Sequence, residues 1–274
     1  MIVIVIDSTA CMTREEARKL GVVCVPMTYT LDGTAYTERF VDANGNYDRL
    51  IENARDQKTS QASIDAYYKL FRGLLDANYE VLCLTISSRL SGTYSNASVC
   101  ARELGEDRIK VVDTATTAGG MLIMTKEARR LVDSGLTLFQ AAQALTNMRT
   151  QVKTLFSVKD MGPLRRSGRL GPVRQSVGTI LNLRPLLTCK DGAVEACGTA
   201  RGRTEQLQRL IDAVPEDAED IIVHYIQSEQ DAKMILDRLM DKCKNPVLLR
   251  KVGPVLGIHL GLDVLSTMWR DIRG

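Results

Sequence analysis

Apolar and polar positions follow two different rhythms along the chain. In the first 150 residues, short apolar runs alternate with helical patterns. Ile2–Ile6, Val22–Val25, Val81–Ile86 and Ile109–Val112 are continuous, β-branched-rich runs, as in strands covered on both faces. Between them lie helical stretches. One starts near Thr13, where Thr13 and Glu16 have capping-box spacing. Tyr47–Ala54 predicts a short helix, and Ser63 caps another that carries Ile64, Tyr67, Tyr68, Phe71 and Leu74 on one face. Met121–Val132 and Leu138–Thr150 follow. Strand–helix alternation of this kind predicts a parallel, doubly wound α/β sheet, with one hairpin inserted at Asp32-Gly33 between Met27–Leu31 and Thr34–Tyr36.

Beyond residue 152 the rhythm changes. Leu155–Val158 reads as a strand. Asp160–Arg174 is rich in Arg, Gly and Pro, and Val177–Leu183 is an apolar helix or turn. Pro185–Cys189 and Ala193–Cys197 flank Asp191-Gly192, a second hairpin signal. Helices near Thr204–Ala213 and Glu229–Cys243 enclose the strand Ile221–Tyr225. Val247–Val252 and Val264–Met268 are joined by a glycine-rich loop, Gly253–Gly261. Hairpins mixed with crossovers predict a second α/β domain with a mixed sheet, so the expected division is 1–152 and 153–274.

The stretch Ile86–Ala97, ISSRLSGTYSNA, joins a predicted strand to a predicted helix through hydroxyls and a glycine. The first turn of a helix leaves backbone N–H groups without partners, and its dipole favours an anion there. Ser91 occupies the expected N-cap position, and Gly92 permits close approach to the backbone. Ser91 is therefore the leading candidate for holding a carboxylate or similar anion. Two more polar loops, Asp7–Thr9 and Asp113–Thr117, also follow predicted parallel strands. Ligands in open α/β sheets sit at such strand ends, although Ser, Thr and Asp also serve there simply as helix caps.

Composition narrows the choice of function. The chain has 274 residues and a net charge of +3, too small to argue for nucleic acid or an anionic membrane. Aromatics at 5% disfavour a stacking platform for single strands. Met1–Ile6 lacks the basic start of a signal peptide, and no stretch is long and apolar enough to span a bilayer, so no integral membrane segment is expected. Seven cysteines, an odd number without a Cys-x-x-Cys pair, fit buried reduced thiols in a cytoplasmic protein better than a disulfide framework. There is no P-loop, no G-x-G-x-x-G, no H-E-x-x-H and no G-x-S-x-G. Only two histidines, His224 and His259, are present, which argues against a histidine-rich metal site. His259, between Gly257 and Gly261, is either poised near neutral pH or structural. The cluster Arg165, Arg166, Arg169 and Arg174 either binds phosphate or an acidic partner, or forms a solvated surface.

Taken in order, Asp7-Ser8-Thr9-Ala10, the Thr59–Ser63 loop, Ser87-Ser88-Arg89-Leu90-Ser91-Gly92-Thr93-Tyr94, Ser167-Gly168-Arg169, Leu181-Asn182-Leu183-Arg184-Pro185 and Gly257-Ile258-His259 make the chain resemble the DegV family over essentially its full length. The resemblance implies a bacterial fatty-acid-binding protein that presents its ligand to a separate fatty acid kinase, which makes an acyl phosphate for phospholipid synthesis. It implies that Thr59 and Ser91 hydrogen-bond the carboxylate, in a neighbourhood that includes Ser60, Gly92 and Thr93, with His259 near the head group. It places Arg169 and Arg201 at the head-group mouth and the kinase contact. It implies no cofactor beyond the bound fatty acid. The chain departs from the family pattern at Ala62, where a proline is usual, at Cys11-Met12-Thr13, at Ser167, which replaces the first glycine of a G-G-R motif, and at Leu262.

The physical chemistry of a lipid ligand agrees. A long acyl chain offers methylenes worth about 0.8 kcal/mol each on burial, so an apolar tunnel must supply the affinity while a few polar groups fix one end. Leu155–Val158, Val177–Leu183 and Leu186–Leu187 are the candidate lining, with ordinary core as the alternative use of such residues. Two competing readings remain open on the residues. One is a stand-alone hydrolase or phosphotransferase with Ser91 as nucleophile and Asp7 or His259 as base. The other is an interaction protein working through Arg165–Arg174 without lipid.

Overall fold

In chain order the strands and helices are β1 (Ile2–Asp7), α1 (Arg14–Lys19), β2 (Val22–Val25), β3 (Met27–Leu31), β4 (Thr34–Glu38), α2 (Tyr47–Asn53), β5 (Gln57–Ser60), α3 (Ile64–Asp76), β6 (Glu80–Thr85), α4 (Thr93–Leu104), β7 (Ile109–Asp113), α5 (Ala118–Asp133) and α6 (Leu138–Met148), followed by β8 (Val152–Val158), α7 (Gly162–Arg166), β9 (Leu183–Lys190), β10 (Ala193–Arg201), α8 (Gly202–Asp212), β11 (Glu219–Ile226), α9 (Glu229–Lys242), β12 (Val247–Lys251), α10 (Pro254–Leu260) and β13 (Val264–Arg270). The computed structural model describes residues 1–159, 161–171 and 182–273. Arg174 and residues 177–181 of the expected apolar stretch lie outside the described residues.

The first half holds a four-stranded parallel sheet in the order β2-β1-β6-β7. Its central strands are buried on both faces, with Ile4 and Leu82 on one and Val5 and Cys83 on the other inaccessible to solvent, as their unbroken apolar sequence predicts. Strand order reverses between β1 and β6, so the loops after these strands open a crevice at their carboxyl ends. α1 begins with the expected capping box. Thr13 accepts from the Glu16 N–H, and the Glu16 carboxylate accepts from the Thr13 N–H.

The second half is a six-stranded mixed sheet, β10-β9-β8-β13-β11-β12. The alternation of its strands separates two faces. Leu265, Trp269 and Val223 pack with Leu210 and Ile211 of α8 and Ile235 and Leu239 of α9, forming a core of their own. The opposite face, carrying Phe156, Ile222, His224, Val264, Ser266 and Met268, turns toward the first half. The apolar residues of this face belong to the same core as the parallel sheet.

Two expectations fail locally. Thr59 and Ser60 of the expected Thr59–Ser63 loop belong instead to strand β5, which pairs antiparallel with β3 and completes a small sheet, β4-β3-β5. Gly253–Gly261 is not an extended loop either. Pro254 starts α10 at a position where its missing N–H costs nothing. A Cβ at Gly253, just before α10, would lie 2.5 Å from the Glu38 carboxylate, so this glycine serves close packing rather than a turn.

Candidate functional site

The three polar loops expected at strand ends do share one rim. Asp7 accepts from the Ile86 N–H at 2.7 Å and from the Thr9 N–H at 3.0 Å, tying the loop after β1 to the loop after β6. Asp113 accepts from the Ser88 N–H at 3.1 Å and the Ala115 N–H at 2.9 Å, and Ser87 N–H donates to the Thr116 carbonyl. Both aspartates therefore hold turns together. Burial pushes the Asp7 carboxyl above its ordinary range, although its hydrogen bonds act the other way. The β9–β10 hairpin covers this rim, because the Ser87 hydroxyl donates to the Gly192 carbonyl at 2.7 Å.

Under the hairpin lies a cavity of about 160 Å³ between the rim and the inner face of the mixed sheet. Its wall is mainly apolar. Ile86 and Leu90 come from the rim, Phe156, Val264 and Met268 from the sheet, and Leu256 from α10. The expected lining is thus only partly right. Phe156 lines the cavity, whereas Leu155 faces the other side of its strand and Leu186–Leu187 is buried elsewhere in the sheet. The strand period of 2 sends Leu155 and Leu186 to the face opposite Phe156, whereas Leu187, directly across from Phe156, shares its face and packs into the core instead.

At the outer end of the cavity the structure brings together Thr59, Ser91, Arg169 and His259. Thr59 reaches it because β5 pairs with β3 and turns alternate residues inward, so its neighbour Ser60 is exposed and does not line the cavity. The Thr59 hydroxyl lies 2.8 Å from His259 Nε2. Ser91 sits one residue earlier than expected relative to α4. Gly92 is the cap residue, and the Ser91 hydroxyl accepts from the Thr93 N–H at 3.3 Å and pairs with the buried Thr93 hydroxyl at 2.9 Å. Gly92 itself is overlain by the Gln61 side chain, whose amide occupies the space a Cβ would need. Gln61 also lines the cavity, and no spacing rule in the sequence pointed to it.

Arg169 donates to the Leu90 carbonyl at 3.3 Å and to the Ser167 carbonyl, so it clamps the turn after α7 onto the loop that carries Ser91. Burial first, and the neighbouring Arg169 second, push His259 down to about 4, leaving it neutral at pH 7. Thr59, Arg169 and His259 also border an open, basic depression with Arg55, Lys58 and Arg166, which forms the mouth. Arg201 stands apart. It is exposed at the end of β10, its N–H donates to Glu205, and it lines neither cavity nor mouth.

At the inner end are Thr116, Thr117, Thr154, His224 and Ser266. Of these, the sequence had placed only the Asp113–Thr117 loop near a site. Burial first, and Arg250 second, push His224 down to about 3. Among the described residues, no group of three or more His, Cys, Asp or Glu could hold a metal ion. All seven cysteines are free thiols.

A family model described as "Uncharacterised protein, DegV family" matches residues 1–271. The chain belongs to the DegV family. A DegV domain-containing protein of Deinococcus radiodurans is 32% identical over 270 residues, covering 95% of each chain. A fatty-acid-binding DegV family protein from Thermus thermophilus is 28% identical and superposes with a TM-score of 0.88 over 99% of both chains. A DegV lipid-binding protein from Thermotoga maritima, 24% identical, shares the fold with a TM-score of 0.88, covering 99% of this chain and 98% of that one. The α/β architecture, with its parallel and mixed sheets, is therefore that of solved DegV structures, among which are fatty-acid-binding proteins. Among the described residues, no helix of this DegV protein is long and apolar enough to cross a membrane.

Proposed function

We propose that this DegV protein carries a long-chain fatty acid. Thr59 and Ser91 hold the carboxylate, and the acyl chain runs inward between the rim and the mixed sheet. The observation that carries the reading is an apolar cavity with two hydroxyl groups and a neutral histidine at its outer end. With His259 Nε2 protonated, the ring donates to Thr59 and leaves the Thr59 O–H free to donate to an anion. Ser91 has the same freedom when its oxygen accepts from Thr93. Hydroxyl donors hold a carboxylate without the full charge pairing of an arginine fork, so the oxygens stay available for transfer. Arg169, beside the mouth but committed to two carbonyls, adds positive potential there. The basic mouth supports presentation of the acid to a separate kinase that forms an acyl phosphate. The free thiols support a reducing, cytoplasmic setting.

In this reading residues 1–152 and 153–274 are two domains, and the ligand lies between them. An engineered cavity of similar size, about 150 Å³, holds one benzene, so a long acyl chain requires the two walls to part. The stand-alone enzyme has less support. Asp7 is committed to Thr9 and Ile86, His259 to Thr59, and the Ser91 hydroxyl to Thr93, so neither proposed base is hydrogen-bonded to Ser91. Mass spectrometry of gently extracted protein should release a fatty acid. A protein that yields none and also fails to bind added octadecanoic acid would refute the proposal.

A further inference from the structure

The inner end of the cavity is built in a way that an alkyl chain does not require. Thr116 Oγ1, Thr117 Oγ1, His224 Nε2 and Ser266 Oγ are all buried, all belong to residues lining the cavity, and all lack a hydrogen-bond partner among the described residues. Thr116, His224 and Ser266 are 4%, 0% and 2% exposed. A buried polar atom without a partner destabilises the fold, and native structures contain few of them. Four at one end of the cavity point to a ligand that satisfies them.

Their placement is not accidental to the packing. His224 and Ser266 are direct cross-strand partners of β11 and β13, so both side chains emerge on the inner face of the mixed sheet. Facing them is the start of the sixteen-residue helix α5, whose cap residue Thr117 makes no side-chain capping bond. A Cβ on Gly119 would lie 2.6 Å from His224 Nε2, and one on Gly120 would collide with the Thr116 hydroxyl. Glycines thus let the first turn of α5, with the partial positive charge of a helix start, close over the histidine.

The histidine also has a defined polarity. His224 Nδ1 lies 3.2 Å from the Arg250 carbonyl, which can only accept, so Nδ1 carries the proton. Burial keeps the ring neutral, and Nε2 is then a bare acceptor, packed against Gly119 in a residue of the cavity lining. It needs an O–H donor. The threonine and serine hydroxyls can donate in return. A methyl terminus satisfies none of these groups, and a ketone, which only accepts, leaves Nε2 unpaired.

We propose that this inner end is a second recognition site for a hydroxyl group on the acyl chain, so that the preferred ligand class is a hydroxy fatty acid. The hydroxyl donates to His224 Nε2 and accepts from Ser266, Thr116 or Thr117. This proposal rests on the carrier reading above. The test measures dissociation constants for octadecanoic acid and for hydroxyoctadecanoic acids with the hydroxyl moved stepwise along the chain. The natural protein, Ser266→Ala, Thr116→Val and His224→Leu are compared. One hydroxyl position should bind the natural protein at least tenfold tighter than the plain acid. That preference should fall severalfold in Ser266→Ala and Thr116→Val and vanish in His224→Leu, with octadecanoic acid bound at least as well as before. The two single-hydroxyl variants keep the test decisive if the histidine variant does not fold. If octadecanoic acid binds but no hydroxyl position improves on it, the inner site takes water only and this inference alone fails. If neither kind of acid binds, the carrier reading fails and takes this one with it.

Discussion

The two ends of the cavity use the same side-chain vocabulary, hydroxyls and one histidine, to opposite effect. At the outer end each hydroxyl already has a protein partner, Thr59 with His259 and Ser91 with Thr93, and Arg169 lies nearby. At the inner end the histidine ring nitrogen and three hydroxyls, all of residues that line the cavity, have no partner among the described residues. Partnered hydroxyls are held in position and exchange one bond for another when an anion arrives and leaves. Unpartnered ones raise the energy of the protein until something fills them. An outer end built for exchange and an inner end built for selection would suit a carrier that must both choose its cargo and give it up.

The difference can be broken most strongly through His224. Its folded value, about 3, lies below the ordinary 6.5, so its contribution to stability is present above pH 6.5 and is lost as pH falls toward 3. Between pH 7 and pH 4, chemical denaturation should show the natural protein losing about 3 kcal/mol more than His224→Leu. Equal losses would mean that the ring takes up a proton while folded.

Glu38, which supports the helix carrying the outer histidine, gives the opposite sign. It is fully buried, accepts from the Val255 N–H at the start of α10, the helix that carries His259, and burial raises it to about 7. Its contribution is present below pH 4.5 and is lost as pH rises through 7. Glu38→Gln should therefore be more stable than the natural protein at pH 8 by about 2–3 kcal/mol, with little difference at pH 4. A variant that is less stable at pH 8 would show that the charged carboxylate is needed to hold α10.

Binding effects are smaller but separate the two ends. Thr59→Ala and Ser91→Ala should each weaken octadecanoic acid binding by about 1–3 kcal/mol by calorimetry. Unchanged affinity in the double variant would remove both from the carboxylate site. Arg169→Gln should cost less than about 1 kcal/mol of affinity, since the side chain faces partly into solvent and its hydrogen bonds go to carbonyls.

Much of this was legible in the sequence, and the gaps have physical causes. The two large sheets, the hairpin turns and the capped helices follow from periodicity and turn chemistry, as at Thr13–Glu16 and Asp191-Gly192. Thr59 and Ser91 meeting at one cavity was implied by the family motifs rather than by any local pattern. β5 was missed because four polar residues form a strand only when β3 offers them an edge. α10 was missed because glycines that permit packing look the same as glycines that turn a chain. The inner end was missed because His224 and Ser266, 42 residues apart, meet only through strand register. Arg201, matched by motif, is carried by its strand to an exposed end away from the cavity.

The orientation of the bound chain tests the central claim most directly. A crystal of the protein with a fatty acid brominated at its terminal carbon would locate that carbon by anomalous scattering. The peak should lie deep in the cavity on the side of His224 and Ser266, with the carboxylate between Thr59 and Ser91. A bromine at the mouth beside Arg169, or density that never enters the cavity, would contradict it.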